Sequence, residues 1–280
     1  MAPRSRRFVR RLPAFFLFSL ICCVVSAPTR AAAVPARSAI LVNRDTGRIL
    51  YAQHADTPVP PASLAKVMTL FLALDAVKAK SVKFSEKIRI SRAAADTGGS
   101  SMYLRTGERV PFDLLLSGMA VASGNDAAVA VAQRLAGGST SRFVTKMNRK
   151  AAALGMRRTL FKTPNGLPAL GQQTTARDMM LLTRAYLRAH PAAARFHTAH
   201  FVLHRGRTLP TTNSLLNVVD GVDGLKTGWT QASGYNIIVT AQRGGVRLLA
   251  VVLGAKSREA RDDAVRALLE SGFRQRGTKR

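Results

Sequence analysis

The sequence predicts an α+β fold: one antiparallel sheet flanked by helices, with an all-helical subdomain inserted between its two halves. Three observations carry this expectation. Strand-like segments gather at both ends of the chain, a long helical stretch separates them, and an amphipathic helix closes the sequence.

Ser38–Val42 and Arg48–Ala52 read as two strands joined by a turn at Asp45-Thr46-Gly47. Pro60-Pro61-Ala62 stops extended structure, and a helix is expected from Ser63 to Ala79. A strand-like piece follows at Lys87–Ile90. Pro111 opens a helix through Met119, Asn125 begins another through Leu135, and Ser141–Leu154 is a third, stopped by Gly155. Thr175–Ala189 is a fourth, ended before Pro191. Phe201–His204, Gly224–Lys226, Tyr235–Ala241 and Arg247–Leu253 are rich in β-branched and alternating apolar residues and read as strands. Arg258–Phe273 is the closing helix.

The 280 residues carry 43 Lys and Arg against 15 Asp and Glu, a formal charge of +28, and 47% are hydrophobic. Residues 1–33 hold six arginines and no acid, so the remaining 37 basic and 15 acidic residues still give +22. Five of those arginines precede an uncharged run from Leu12 to Thr29, and Ala31-Ala32-Ala33 offers small residues for cleavage. This is the pattern of a secretory signal. An uncleaved anchor is the alternative, but Pro13, Ser19, Ser26 and Pro28 shorten the apolar run. Cys22 and Cys23 both lie inside the segment, and Ile21 does not suit a lipoprotein cleavage site. The mature chain, 34–275 with a basic tail at 276–280, would then hold no thiol. That removes disulfides, thiol catalysis and thiolate metal sites. No metal or cofactor is expected: His197, His200 and His204 straddle a strand and lack acidic partners. For an exported protein, a basic surface suits anionic lipid or wall polymers better than nucleic acid, for which no motif is present.

Three motifs follow one another: Ser63-Leu64-Ala65-Lys66, Ser123-Gly124-Asn125 and Lys226-Thr227-Gly228. A spacing of three puts Ser63 and Lys66 on one helical face. A serine hydroxyl needs a base, and Lys66 serves only if burial and a second cation, Lys226, depress its pKa. Ser123 is placed to pass a proton to a leaving amine, and Asn125 to hold Lys66 and a substrate amide. Gly228 lets a substrate backbone lie along the strand edge. Lys226, Thr227 and Thr230 are expected to receive a carboxylate, with Trp229 at the pocket rim. Each motif alone is common; the gaps of 60 residues between Ser63 and Ser123 and 103 between Ser123 and Lys226 make the set specific.

With these motifs, Thr163-Pro164-Asn165-Gly166-Leu167, Thr175-Ala176-Arg177-Asp178-Met179 and Val252-Leu253-Gly254-Ala255, the chain from Ser38 to Phe273 resembles the serine-type D-alanyl-D-alanine carboxypeptidases, the low-molecular-mass penicillin-binding proteins. The resemblance implies a β-lactamase/transpeptidase-like fold. It also implies attack by Ser63 on the carbonyl between two terminal D-alanines of a peptidoglycan stem peptide. Lys66 would be base, Ser123 relay, Asn125 orienter, and Lys226, Thr227, Gly228, Trp229 and Thr230 the substrate strand. The amides of Ser63 and Trp229 would form an oxyanion hole, about 3 kcal/mol per donor. β-Lactams would acylate Ser63. The family often continues into a β-rich domain and a membrane anchor, whereas this chain ends at Arg280, so only charge-based membrane contact through Arg274–Arg280 is expected. A D,D-endopeptidase shares the motifs. A β-lactamase would need a water-activating glutamate, and none lies between Ser123 and Lys226. A non-catalytic wall-binding protein would not need all three motifs intact.

Overall fold

The computed structural model describes residues 33–275. Residues 1–32, which hold nearly all of the expected signal segment and both cysteines, and the tail at 276–280 lie outside the described residues.

A five-stranded antiparallel sheet organises the molecule. Its strands are β1 (Ser38–Asn43), β2 (Ile49–Gln53), β7 (Val222–Thr230), β8 (Gly234–Arg243) and β9 (Val246–Ala255), in the order β2-β1-β9-β8-β7. Both ends of the chain contribute, as expected. β9 pairs with β1 from Ser38↔Leu253 to Asn43↔Leu248, which closes the sheet across the whole sequence.

The inner strands β1, β9 and β8 are covered on both faces, so they are apolar over most of their length rather than alternating. Ala39, Leu41, Ile237, Val239, Leu248, Ala250 and Val252 face the closing helix α8 (Arg258–Arg274), where they meet Ala264, Val265, Leu268 and Leu269. Their strand neighbours Ile40, Val42, Ile238, Leu249, Val251 and Leu253 belong to the larger core with α1 (Lys66–Lys78). The period of two thus divides each strand between two cores.

The inserted helices are α3 (Phe112–Ala120), α4 (Asn125–Leu135), α5 (Thr140–Ala153) and α6 (Ala176–Ala189), with short helices α2 (Arg92–Ala95) and α7 (Ala194–His197). α1 is apolar all round and buries every residue from Lys66 to Leu74 except Leu72, because it runs between the sheet and this helical layer. That position takes Lys66 out of water.

Three local differences from the sequence reading have clear causes. The piece at Lys87 is strand β3 (Lys87–Arg89), paired with an unforeseen β4 (Arg109–Pro111) away from the main sheet. Phe201–His204 is strand β5, which forms a separate hairpin with β6 (Arg207–Pro210). Its two-sided exposure pattern fits a hairpin rather than a covered sheet. The helix expected from Ser63 begins at Lys66, because Ala62 is left-handed at φ +48° and Ala62–Ala65 forms a 3₁₀ turn.

Candidate active site

The 3₁₀ turn carries Ser63. It is held from behind by Gly166, whose φ of +82° and missing side chain let its backbone press against the Ala62 carbonyl. From the front, β7 passes so close that a Cβ at Gly228 would sit 3.0 Å from the Ser63 nitrogen and 3.2 Å from the Leu64 nitrogen. Only glycine admits that approach, and it brings the sheet edge against the serine backbone.

Lys66 is wholly buried, and its Nζ has three oxygen neighbours: Ser63 Oγ at 2.8 Å, Asn125 Oδ1 at 2.6 Å and the Asn165 carbonyl at 2.9 Å. Burial first, then the charge of Lys226, pushes its pKa well below the usual lysine value, against an opposing pull from Asp126. A neutral amine has two N–H bonds and one lone pair. The two carbonyl oxygens accept both N–H bonds, which leaves the lone pair facing the Ser63 hydroxyl.

Asn125 is fixed at the start of α4. Its Nδ2 donates to the Gly98 carbonyl at 2.7 Å, and its backbone N–H to Ser100 at 2.7 Å. Asp126, next along, accepts from Ser101 Oγ and from the amides of Met102 and Leu104, so the 98–104 loop is tied to the helix N-terminus. Ser123 lies in the tight turn between α3 and α4 at φ +62°, is 3% exposed, and its hydroxyl makes no hydrogen bond among the described residues.

On β7, Lys226 is also buried, and its pKa is pushed down to about 7, by burial first and then by Arg261 of α8. Its Nζ has a single acceptor, the Thr227 carbonyl at 2.9 Å. Thr227 donates its hydroxyl to Thr212 Oγ1 at 2.7 Å. Trp229 stands at the rim, 57% exposed and tilted against Tyr235 at 5.9 Å. Thr230 departs from the expectation of a free carboxylate-binding hydroxyl. Its Oγ1 is bonded to Ser233 Oγ and accepts from the Ser233 amide, so it is engaged in the β7–β8 turn.

Ser63, Lys66 and Asn125 therefore meet in one hydrogen-bonded group, with Gly228 against it and Lys226 in its electrostatic field. Sequence reading missed three contributors. Asn165 supplies the second carbonyl acceptor to Lys66; its signal was the Pro-Asn-Gly turn chemistry, which presents a backbone carbonyl. Thr212 holds Thr227. Arg261, 4% exposed and paired with Asp262, adds a cation beneath Lys226 from 35 residues further along the chain. Below the strand, Tyr186 Oη donates to His197 Nε2 at 3.0 Å, and His197 Nδ1 donates to the Leu225 carbonyl at 3.0 Å. Burial keeps this imidazole neutral, with a pKa of about 4. His200 instead meets Asn217, so the histidines do not converge.

A family model for D-alanyl-D-alanine carboxypeptidase (peptidase S11) matches residues 24–257. Among curated relatives, the D-alanyl-D-alanine carboxypeptidase DacF of Bacillus subtilis is 38% identical over 245 residues, 86% of this chain and 62% of its own length. DacC of Escherichia coli is 38% identical over 267 residues, 92% of this chain and 66% of its own. The chain thus spans a little under two thirds of these relatives. Among solved structures, penicillin-binding protein D2 of Listeria monocytogenes in its ampicillin-bound form superposes with a TM-score of 0.79 at 36% identity, covering 86% of this chain and 98% of the other. Penicillin-binding protein 6B of Escherichia coli gives 0.83 at 36%, covering 86% and 78%. With the serine, its amine neighbour and the sheet edge in this arrangement, the chain belongs to the D-alanyl-D-alanine carboxypeptidase family, peptidase S11.

Proposed function

We propose that this protein is a serine D-alanyl-D-alanine carboxypeptidase that removes the terminal D-alanine from peptidoglycan stem pentapeptides through an acyl-enzyme, and that β-lactams inhibit it by acylating the same serine. The observation that carries the reading is the 2.8 Å contact between the buried Lys66 Nζ and Ser63 Oγ.

The proposed steps are these. Neutral Lys66 takes the Ser63 proton as Oγ attacks the carbonyl carbon. The substrate lies along the free edge of β7, the outermost strand, whose unpaired backbone groups can accept an added strand. Lys226, with one protein acceptor only, receives the substrate carboxylate, and the Thr227 hydroxyl joins it by turning its proton from Thr212 Oγ1 to the carboxylate. The amides of Ser63 and Trp229 stabilise the oxyanion. The proton passes by way of Ser123 to the leaving amine, D-alanine departs, and water hydrolyses the ester. Asn125 orients Lys66 and the substrate amide.

The four glutamates bear on β-lactam turnover. Glu86 pairs with Arg134, Glu108 lies by His204, Glu270 pairs with Arg243, and Glu259 is exposed at the start of α8. None is placed to activate water at Ser63, so the penicilloyl ester is expected to be long-lived. We read residues 1–33 as a secretory leader, 34–275 as the catalytic domain and 276–280 as a basic tail, with action outside the cytoplasm, where the basic surface can meet anionic membrane or wall polymers. Among the described residues no helix is long and apolar enough to cross a membrane.

Fluorescent penicillin and a synthetic pentapeptide test the proposal together. Wild type should retain the label through denaturing electrophoresis and release D-alanine; Ser63→Ala should do neither. Labelling that survives Ser63→Ala, or D-alanine release by that variant at the wild-type rate, would overturn it. Product analysis on crosslinked dimers separates a D,D-endopeptidase, and rapid multiple-turnover β-lactam hydrolysis would indicate a β-lactamase.

A further inference from the structure

At the end of the sheet where β1, β7 and β9 present Arg44, Asp223 and Arg247, a cavity of about 560 Å³ opens between the sheet and the C-terminal half of α6. Four arginines line it: Arg44 after β1, Arg184 and Arg188 on α6, and Arg247 on β9. Only two carboxylates, Asp45 and Asp223, face them.

The charges are unevenly matched. Asp45 is taken by Arg247, with contacts of 2.7 and 3.1 Å. Arg184 gives its N–H groups to backbone carbonyls, those of Arg44 at 3.0 Å and Asp45 at 3.2 Å, which hold it in place without neutralising it. Neither the Arg44 nor the Arg188 guanidinium has a hydrogen bond or ion pair among the described residues. Arg44 and Arg184 are half-buried and Arg188 is exposed; desolvation first lowers the pKa of Arg44, with Arg247 adding to it against the opposing pull of Asp223 and Asp45, and lowers that of Arg184, with Arg188 adding to it against Asp45. One further polar atom is unsatisfied: Asp223 Oδ1 is buried without a hydrogen-bond partner.

Four guanidinium groups against two carboxylates leave the cavity net positive, which favours a compact polyvalent anion, and planar N–H forks match phosphate oxygens. A bare carboxylate oxygen beside them would repel a simple anion, but it accepts a hydrogen bond from a hydroxyl. The two requirements together select a molecule that carries both groups, and the cavity has the size of a small organic ligand. We propose that this cavity binds a phosphate ester bearing a neighbouring hydroxyl, of the glycerol phosphate type. Arg44, Arg184 and Arg188 hold the phosphate and Asp223 accepts from the hydroxyl. The ligand is either free or the headgroup of an anionic phospholipid. The cavity shares no residue with the Ser63 site, so this binding stands or falls independently of the catalytic reading.

The test is calorimetric titration of the full chain with glycerol 3-phosphate and with inorganic phosphate, and sedimentation with phosphatidylglycerol-containing vesicles. Arg44→Gln/Arg188→Gln should weaken glycerol 3-phosphate by about tenfold or more. Arg92→Gln/Arg266→Gln, which removes the same charge elsewhere, should leave it unchanged. Wild type should prefer glycerol 3-phosphate over inorganic phosphate, and Asp223→Asn should reduce that preference. Parallel loss of vesicle binding in Arg44→Gln/Arg188→Gln identifies a headgroup; loss of glycerol 3-phosphate alone identifies the free ester. Penicillin labelling of Ser63 should persist in the cavity variants, which shows that they fold. Equal weakening by the two double variants, or no measurable binding to wild type, would overturn the proposal.

Discussion

Lys66 and Lys226 are the same residue type, both buried and both with depressed pKa values, yet their surroundings fit them for opposite tasks. Lys66 sits inside the helical core with three oxygen neighbours, two of which account for the hydrogens of a neutral amine. Lys226 lies on the edge strand β7 with one backbone acceptor, and its pKa of about 7 keeps it partly charged near neutrality. Burial alone therefore does not decide what a lysine does. In the proposed reading the number and kind of its partners do: two carbonyl acceptors suit a neutral base, and a single backbone acceptor leaves ammonium hydrogens for an anion.

The largest expected effect breaks the first half of this comparison. Lys66→Ala should slow penicillin acylation by about 10²- to 10⁴-fold, the range for a lost general base, with little change in saturating concentration. A fall confined to KM would mean that Lys66 only binds. Next comes the support beneath the sheet edge. The unfolded chain protonates His197 below pH 6.5, whereas the folded protein keeps it neutral to about 4. Stability is thus fully present above 6.5 and is lost as pH falls toward 4, by roughly 3 kcal/mol. Chemical denaturation from pH 7 to 4 should show this slope, flattened in His197→Gln.

Lys226→Gln sharpens the second half. It should lower kcat/KM for a peptide with a free carboxylate by about ten- to a hundredfold, the value of one charge-assisted hydrogen bond, chiefly through KM. An amidated peptide should lose much less. The smallest effect is a displacement. Because Lys226 must be charged to receive the carboxylate, kcat/KM should decline as pH rises through about 7. Arg261→Gln, which removes the nearby cation, should move that limb upward, and an unmoved limb would assign it to another group.

Much of this was legible in the sequence because local patterns and global placement agree. The strand segments at both ends and the three motifs foretold one sheet, one central helix and one site. What escaped depended on contacts between distant segments. The Ser63 turn is 3₁₀ rather than α-helical because the left-handed Ala62 is braced by Gly166, which propensity at positions 61–66 does not encode. Asn165 acts through its backbone carbonyl, so its side chain gave no clue to the contact with Lys66. Arg261 read as one more charge on an amphipathic helix. Its influence on Lys226 arises only when α8 packs against the sheet. Thr230 looked free in the motif, but the turn closing β7 onto β8 engages its hydroxyl.

The central claim is that Lys66 loses its proton well below the ordinary lysine range in the free protein. The most direct measurement is the titration of its side-chain amine by nitrogen-detected NMR of lysine-labelled protein, with Lys66→Arg used to assign the signal. The account predicts conversion to the neutral-amine shift well below the ordinary lysine range. A signal that stays that of an ammonium up to the ordinary lysine range near 10.5 would contradict it.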